Sequence, residues 1–126
     1  MTEISSTVLS GVSRLAGGAS IEMNFSDVRH LEAGKDLLVP GTRVFVSHLP
    51  GQTWDQTLQA SIAVHRAGLR PVAHIPARLM PDEATMDHFL ASLADQAQAA
   101  DVLLIAGDYP QATGPYSTVS DILKTG

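Results

Sequence analysis

The sequence predicts an α/β fold built from parallel βα units, arranged as the amino-terminal half of a (βα)8 TIM-type barrel. Helical and strand periodicities alternate along the chain, and each of four strand candidates is short and apolar, the pattern of parallel strands joined by right-handed crossover helices. The strand-to-strand period of about 25 to 30 residues carries no recurring motif, which suits βα units better than a solenoid repeat. An open, doubly wound sheet is the alternative arrangement of the same elements.

The elements follow in order. Ile4, Val8, Val12 and Leu15 recur at helical spacing, with Ser5 or Ser6 to cap the first turn and Gly17-Gly18 to stop it. Ala19 to Met23 reads as a brief strand, and Arg29 to Leu38 as a helix that ends before Pro40-Gly41. Thr42 to Ser47 is a second strand. From Thr53 to Ala67, Leu58, Ile62 and His65, interleaved with small residues, make a helix stopped by Gly68. Leu69 to Ile75 is a third strand, with Pro71 placed near its beginning. After Pro81, Met86, Phe89, Leu90 and Leu93 share one face of a helix that runs to about Ala99. The fourth strand, VLLIAGDYP at Val102 to Pro110, has the four consecutive large apolar residues of a strand buried on both faces, then stops on a small residue, a glycine and a carboxylate. Tyr116 to Leu123 begins one more helix.

Bulk properties bound the function. A chain of 126 residues with 44% hydrophobic and 17% charged residues is one globular domain, spanning 1–126. No apolar run approaches the roughly 20 residues needed to cross a bilayer, so no membrane span is expected. A formal net charge of -5 without any Lys or Arg run offers nothing to a phosphate backbone or to anionic lipid, which argues against nucleic acid and membrane partners. The absence of cysteine and of a basic amino-terminal cluster points to the cytoplasm. Neither HExxH, GxSxG, GxGxxG nor a P-loop occurs, and the histidines at 30, 48, 65, 74 and 88 have no ligand spacing, so no metal site and no Rossmann dinucleotide site is expected.

In parallel α/β folds the carboxyl ends of the strands and the loops just beyond them line the ligand site. Read together, those ends carry Glu22, Ser47-His48, His74 and Gly107-Asp108, whereas the opposite ends carry no such set. Glu22 interrupts Ile21 and Met23; a carboxylate inside a strand sheds water, which favours its protonated form and a proton-donating role. The alternative for Glu22 is an exposed rim position or a pair with Arg43. Gly107 permits a positive φ or close approach of a flat ligand, and Asp108 either contacts that ligand or caps the next turn. His74, after two apolar residues, is otherwise a satisfied core histidine.

Four blocks in this order, SIEMNFSD at Ser20 to Asp27, VFVSHLPG at Val44 to Gly51, GLRPVAHIPAR at Gly68 to Arg78 and VLLIAGDYP at Val102 to Pro110, together resemble the amino-terminal half of the methylenetetrahydrofolate reductase family. The likeness continues into Ser120-Asp121-Ile122-Leu123 and covers about residues 19 to 126. It implies a flavoprotein oxidoreductase with FAD across the carboxyl ends of a (βα)8 barrel. Such an enzyme passes a hydride from NAD(P)H to 5,10-methylenetetrahydrofolate, giving the 5-methyltetrahydrofolate that one-carbon metabolism uses for methionine. By position, the resemblance makes Glu22 the acid that helps open the methylene bridge and Asp108 a carboxylate at the flavin pyrimidine edge that also meets the folate. It places Ser47, His74, Ala106 and Gly107, with Asp108, among the cofactor contacts.

The chain also departs from that pattern. Met23-Asn24-Phe25-Ser26 stands where the family has two aromatics and two prolines, His48 where an aromatic is usual, and Ala106 where an arginine helps hold FAD. Eight βα units need about 250 residues, so the expectation is half a barrel that associates with itself or with a missing carboxyl-terminal half. A catalytically silent half-barrel that binds a folate-like ligand or a partner chain is the competing expectation.

Overall fold

The computed structural model describes residues 3–126. Helix α1 (Ser6–Gly17) starts where the Ser5 side chain accepts the Val8 N–H at 3.3 Å. Val8, Leu9, Val12 and Leu15 are 53%, 52%, 57% and 79% exposed, so its apolar stripe lies outside the core. Strand β1 (Ile21–Asn24) follows, and Asn24 and Asp27 form a reciprocal capping box that opens a short 3-10 turn (Phe25–Asp27) and then helix α2 (Val28–Gly34). The single helix expected over Arg29 to Leu38 is instead a short α-helix that begins earlier and continues as a 3-10 turn (Lys35–Leu37). The capping box sets its early start, and Gly34, a poor helix former, stands where regular α geometry stops.

Strand β2 (Arg43–Ser47) leads to helix α3 (Trp54–Arg66), which has a second capping box between Thr53 and Gln56 and is followed by Gly68 at φ +79. Strand β3 (Arg70–Pro76) carries Pro71 at its second position, and a 3-10 turn (Ala77–Leu79) connects it to helix α4 (Glu83–Gln96), capped by Asp82. The helix stops three residues short of Ala99, and Gln98 takes a left-handed φ of 49 in the connection to strand β4 (Asp101–Ile105). Helix α5 (Val119–Leu123) closes the series behind a Thr118/Asp121 capping box.

The four strands form one parallel sheet in the order β1-β2-β3-β4. The fold is therefore α/β with parallel strands alternating with helices. Its sequential order contains no reversal, so the crevice that a doubly wound sheet offers at its switch point does not arise among these strands. Residues alternate strictly between two faces. Met23, Val44, Val46, Ala73 and Ile75 meet the helices and are at most 7% exposed, building two contiguous cores with Leu58, Ala60, Ile62, Val64, Met86, Phe89 and Leu93.

The expectation that the VLLI run is buried on both faces does not hold. No residue of β4 is buried, and Leu103 is 37% exposed, because β4 is a margin of the sheet and helices cover only one of its faces. Among the described residues no helix is long and apolar enough to cross a membrane.

Candidate functional site

Strand alternation and register decide which side chains share the face turned away from the helices. Glu22 is level with Phe45, and Ser47 lies two residues further along the same face; His74 is level with Leu103. On that face Ser47 donates a hydrogen bond to a carboxylate oxygen of Glu22. Ser47 itself is 9% exposed, while Glu22 is exposed. The expected desolvation of Glu22 is therefore corrected: β1 is a sheet margin and Glu22 takes the alternative, an exposed rim position. Nor does Glu22 pair with Arg43, whose guanidinium instead lies 6.0 Å from the Phe45 ring centroid.

His74 is not a core histidine. Half-buried on this open face, its ring centroid is 5.9 Å from that of Phe45, with the planes inclined at 60°. Burial lowers its proton affinity, and the negative charge of Glu22 partly restores it. Glu22, Ser47 and His74, from three adjacent strands, thus form one electrostatically linked group.

His48 belongs elsewhere. One residue beyond Ser47, it turns to the helix side, where it is 5% exposed, stacks on Trp54 at 3.8 Å with an interplanar angle of 8°, and shares a 2.7 Å hydrogen bond between its Nδ1 and the Thr57 hydroxyl. Trp54 in turn meets Phe89 edge-on at 4.9 Å. The imidazole fills an aromatic slot in the core, so its expected contribution to the rim is withdrawn. Burial lowers its pKa from 6.5 to about 4.

Protonation of His48 consequently favours the unfolded chain. Its stability contribution is complete above the unfolded pKa of 6.5 and is lost as pH falls from there towards about 4. The full loss is about 3.5 kcal/mol at roughly 1.4 kcal/mol per pKa unit. Urea unfolding of the parent protein and of His48→Phe at pH 7 and pH 4.5 tests this. The variant is expected to lose about 2 kcal/mol less than the parent across that interval. His74 contributes in the same sense and remains in both proteins, and equal losses would refute the assignment.

Beyond β4 the chain carries Ala106, Gly107 and Asp108. Gly107 has φ +90, which favours glycine, and a Cβ at this position would stand 2.9 Å from the Tyr109 ring and 3.4 Å from Pro76 Cβ. Of the two expectations for this glycine the structure shows the positive φ, and the room its missing side chain leaves is occupied by the Tyr109 ring. Ala106 and Asp108 are exposed, and among the described residues the Asp108 carboxylate accepts no hydrogen bond, so it caps no turn. Glu22 and the end of β4 are separated by three interstrand spacings, about 14 Å along the sheet. At that separation the two carboxylates would act together from two sides of a bound molecule.

Reasoning from sequence did not single out Arg78. It closes GLRPVAHIPAR, where an arginine follows a proline and an alanine at the strand end, and that cation at the carboxyl rim was the available signal. Among the described residues no group of three or more His, Asp or Glu side chains is placed to hold a metal ion. No protein-family model matches the chain.

Proposed function

We propose that the chain serves the flavin-dependent reduction of 5,10-methylenetetrahydrofolate to 5-methyltetrahydrofolate with NAD(P)H as electron donor, as a methylenetetrahydrofolate reductase-like protein. The observation that carries this reading is the hydrogen bond from Ser47 to Glu22 beside His74, on the open face of a parallel sheet. FAD, when bound, would supply the hydride transfer between nicotinamide and folate. Glu22, oriented by Ser47, donates the proton to the bridging nitrogen as the methylene bridge opens, and a ligand lying over it would provide the desolvation that the sheet alone does not. His74 and Asp108 retain accessible polar atoms and would meet the flavin; Ser47 acts through Glu22.

In the same reading the sheet is the amino-terminal half of a (βα)8 barrel, completed by a carboxyl-terminal half or by a second copy across the margins β1 and β4. The lack of cysteine fits a cytoplasmic setting.

Two observations favour the second reading, a catalytically silent protein that binds a folate-like ligand without flavin: Ala106 brings no cation to the rim, and Tyr109 fills the space beside Gly107. The absorbance spectrum and intact mass of the purified full-length product separate the two. Stoichiometric FAD in a yellow protein that oxidises NAD(P)H supports the reductase. A colourless protein that binds tetrahydrofolate but leaves NAD(P)H unoxidised supports the binder, and binding of neither flavin nor folate refutes both.

A further inference from the structure

The segment 106–118 between β4 and α5 has no regular secondary structure, so its backbone polar groups need partners from outside. One residue supplies several. Arg78, in the 3-10 turn after β3, donates its backbone N–H to the Ala106 carbonyl at 3.1 Å and accepts the Thr113 N–H at 2.7 Å. Its guanidinium donates from Nη1 to the Tyr109 carbonyl at 2.7 Å and from Nε to the Ser117 carbonyl at 3.2 Å. Four hydrogen bonds from one half-buried residue therefore reach four points spread along the loop, with Gly107 and Asp108 inside the first span.

From this geometry we infer that Arg78 is a positioning residue: its planar fork clips the loop after β4 to the end of β3 and so fixes where the Asp108 carboxylate stands. A guanidinium can serve two carbonyls that lie at different places because its donors are rigidly spread in one plane, whereas an ammonium is a single point donor. Charge alone is thus insufficient, and the clip requires arginine. The inference rests on the proposed site only for the use made of Asp108; the clip is a property of the chain itself.

Hydrogen exchange on the full chain tests it, comparing Arg78→Gln and Arg78→Lys with the parent. Expected is exchange at least tenfold faster in the peptide covering 106–117 for R78Q, with β2 and the centre of α3 unchanged. R78K should be intermediate, since lysine restores one of the two side-chain bonds. Unchanged loop exchange in R78Q, full rescue by R78K, or an increase spread equally over β2 and α3 would overturn the clip. If R78Q does not fold, R78K together with Thr113→Pro, which removes the N–H bonded to the Arg78 carbonyl, gives the same reading through the loop peptide.

Ligand titration of the same variants addresses the site separately. Flavin or tetrahydrofolate affinity reduced at least tenfold in R78Q, at an unchanged thermal midpoint, supports the positioning of Asp108; unchanged affinity overturns that part. A parent protein that binds neither ligand refutes the functional reading and leaves the exchange result to stand or fall by itself.

Discussion

Glu22→Gln is expected to retain flavin binding and reduction by NAD(P)H while slowing reduction of methylenetetrahydrofolate by about 10²–10⁴-fold, the range for loss of a positioned general acid. The substitution isolates the proton. Glutamine keeps the side-chain length, and its amide oxygen can still accept the Ser47 hydroxyl, so the local geometry is preserved while the ionisable proton is lost. Glu22 is exposed on a marginal strand, where replacement costs at most about 0.5 kcal/mol, so unfolding cannot mimic the effect. Stopped-flow measurement of the two half-reactions is decisive. Equal loss in both would make Glu22 a binding or structural residue, and no loss in either would remove it from the site.

Gly114→Ala should be the most destabilising of the glycine-to-alanine changes, by about 3 kcal/mol or more, since close-packed backbone must move to admit the methyl group. A Cβ at 114 would stand 2.2 Å from the Pro81 carbonyl oxygen, 2.5 Å from that of Met80 and 2.6 Å from the Pro81 carbonyl carbon. All three are backbone atoms that cannot swing aside as a side-chain tip does. The loop after β4 is therefore held in two ways, by the hydrogen bonds of Arg78 and by this close approach over the start of α4. Gly11→Ala is the control: it lies within α1 with nothing within 4 Å of its added Cβ, and alanine there should be neutral or stabilising by up to about 1 kcal/mol. Urea midpoints of the two variants should move apart. A Gly114→Ala protein as stable as the parent would show that the loop is not seated against Met80 and Pro81.

Much of the architecture was legible because it follows from local chemistry. Ser5 caps α1, the Thr53/Gln56 box starts α3 and Gly68 follows its end, each within a few residues of the expected boundary. The alternation of short apolar strands with helices translated directly into parallel pairing. The candidate site was legible only in part. Ser47 and His48 are neighbours in sequence, yet one reaches Glu22 on the open face and the other is buried against Trp54 on the helix face. The strand period of two separates them, and a reading that grouped both at a strand end ignored it.

What the sequence by itself determined is the set of elements, their order and their parallel pairing, because caps, turn residues and hydrophobic period act over a few residues along the chain. Only the tertiary structure decided that β1 and β4 are margins with exposed side chains, that Tyr109 fills the space beside Gly107, and that Arg78 holds the loop of Asp108. Burial and hydrogen-bond partnership depend on which distant segments come together. Arg78 and Ser117 are 39 residues apart along the chain and hydrogen-bonded in space, a relation that no local pattern encodes.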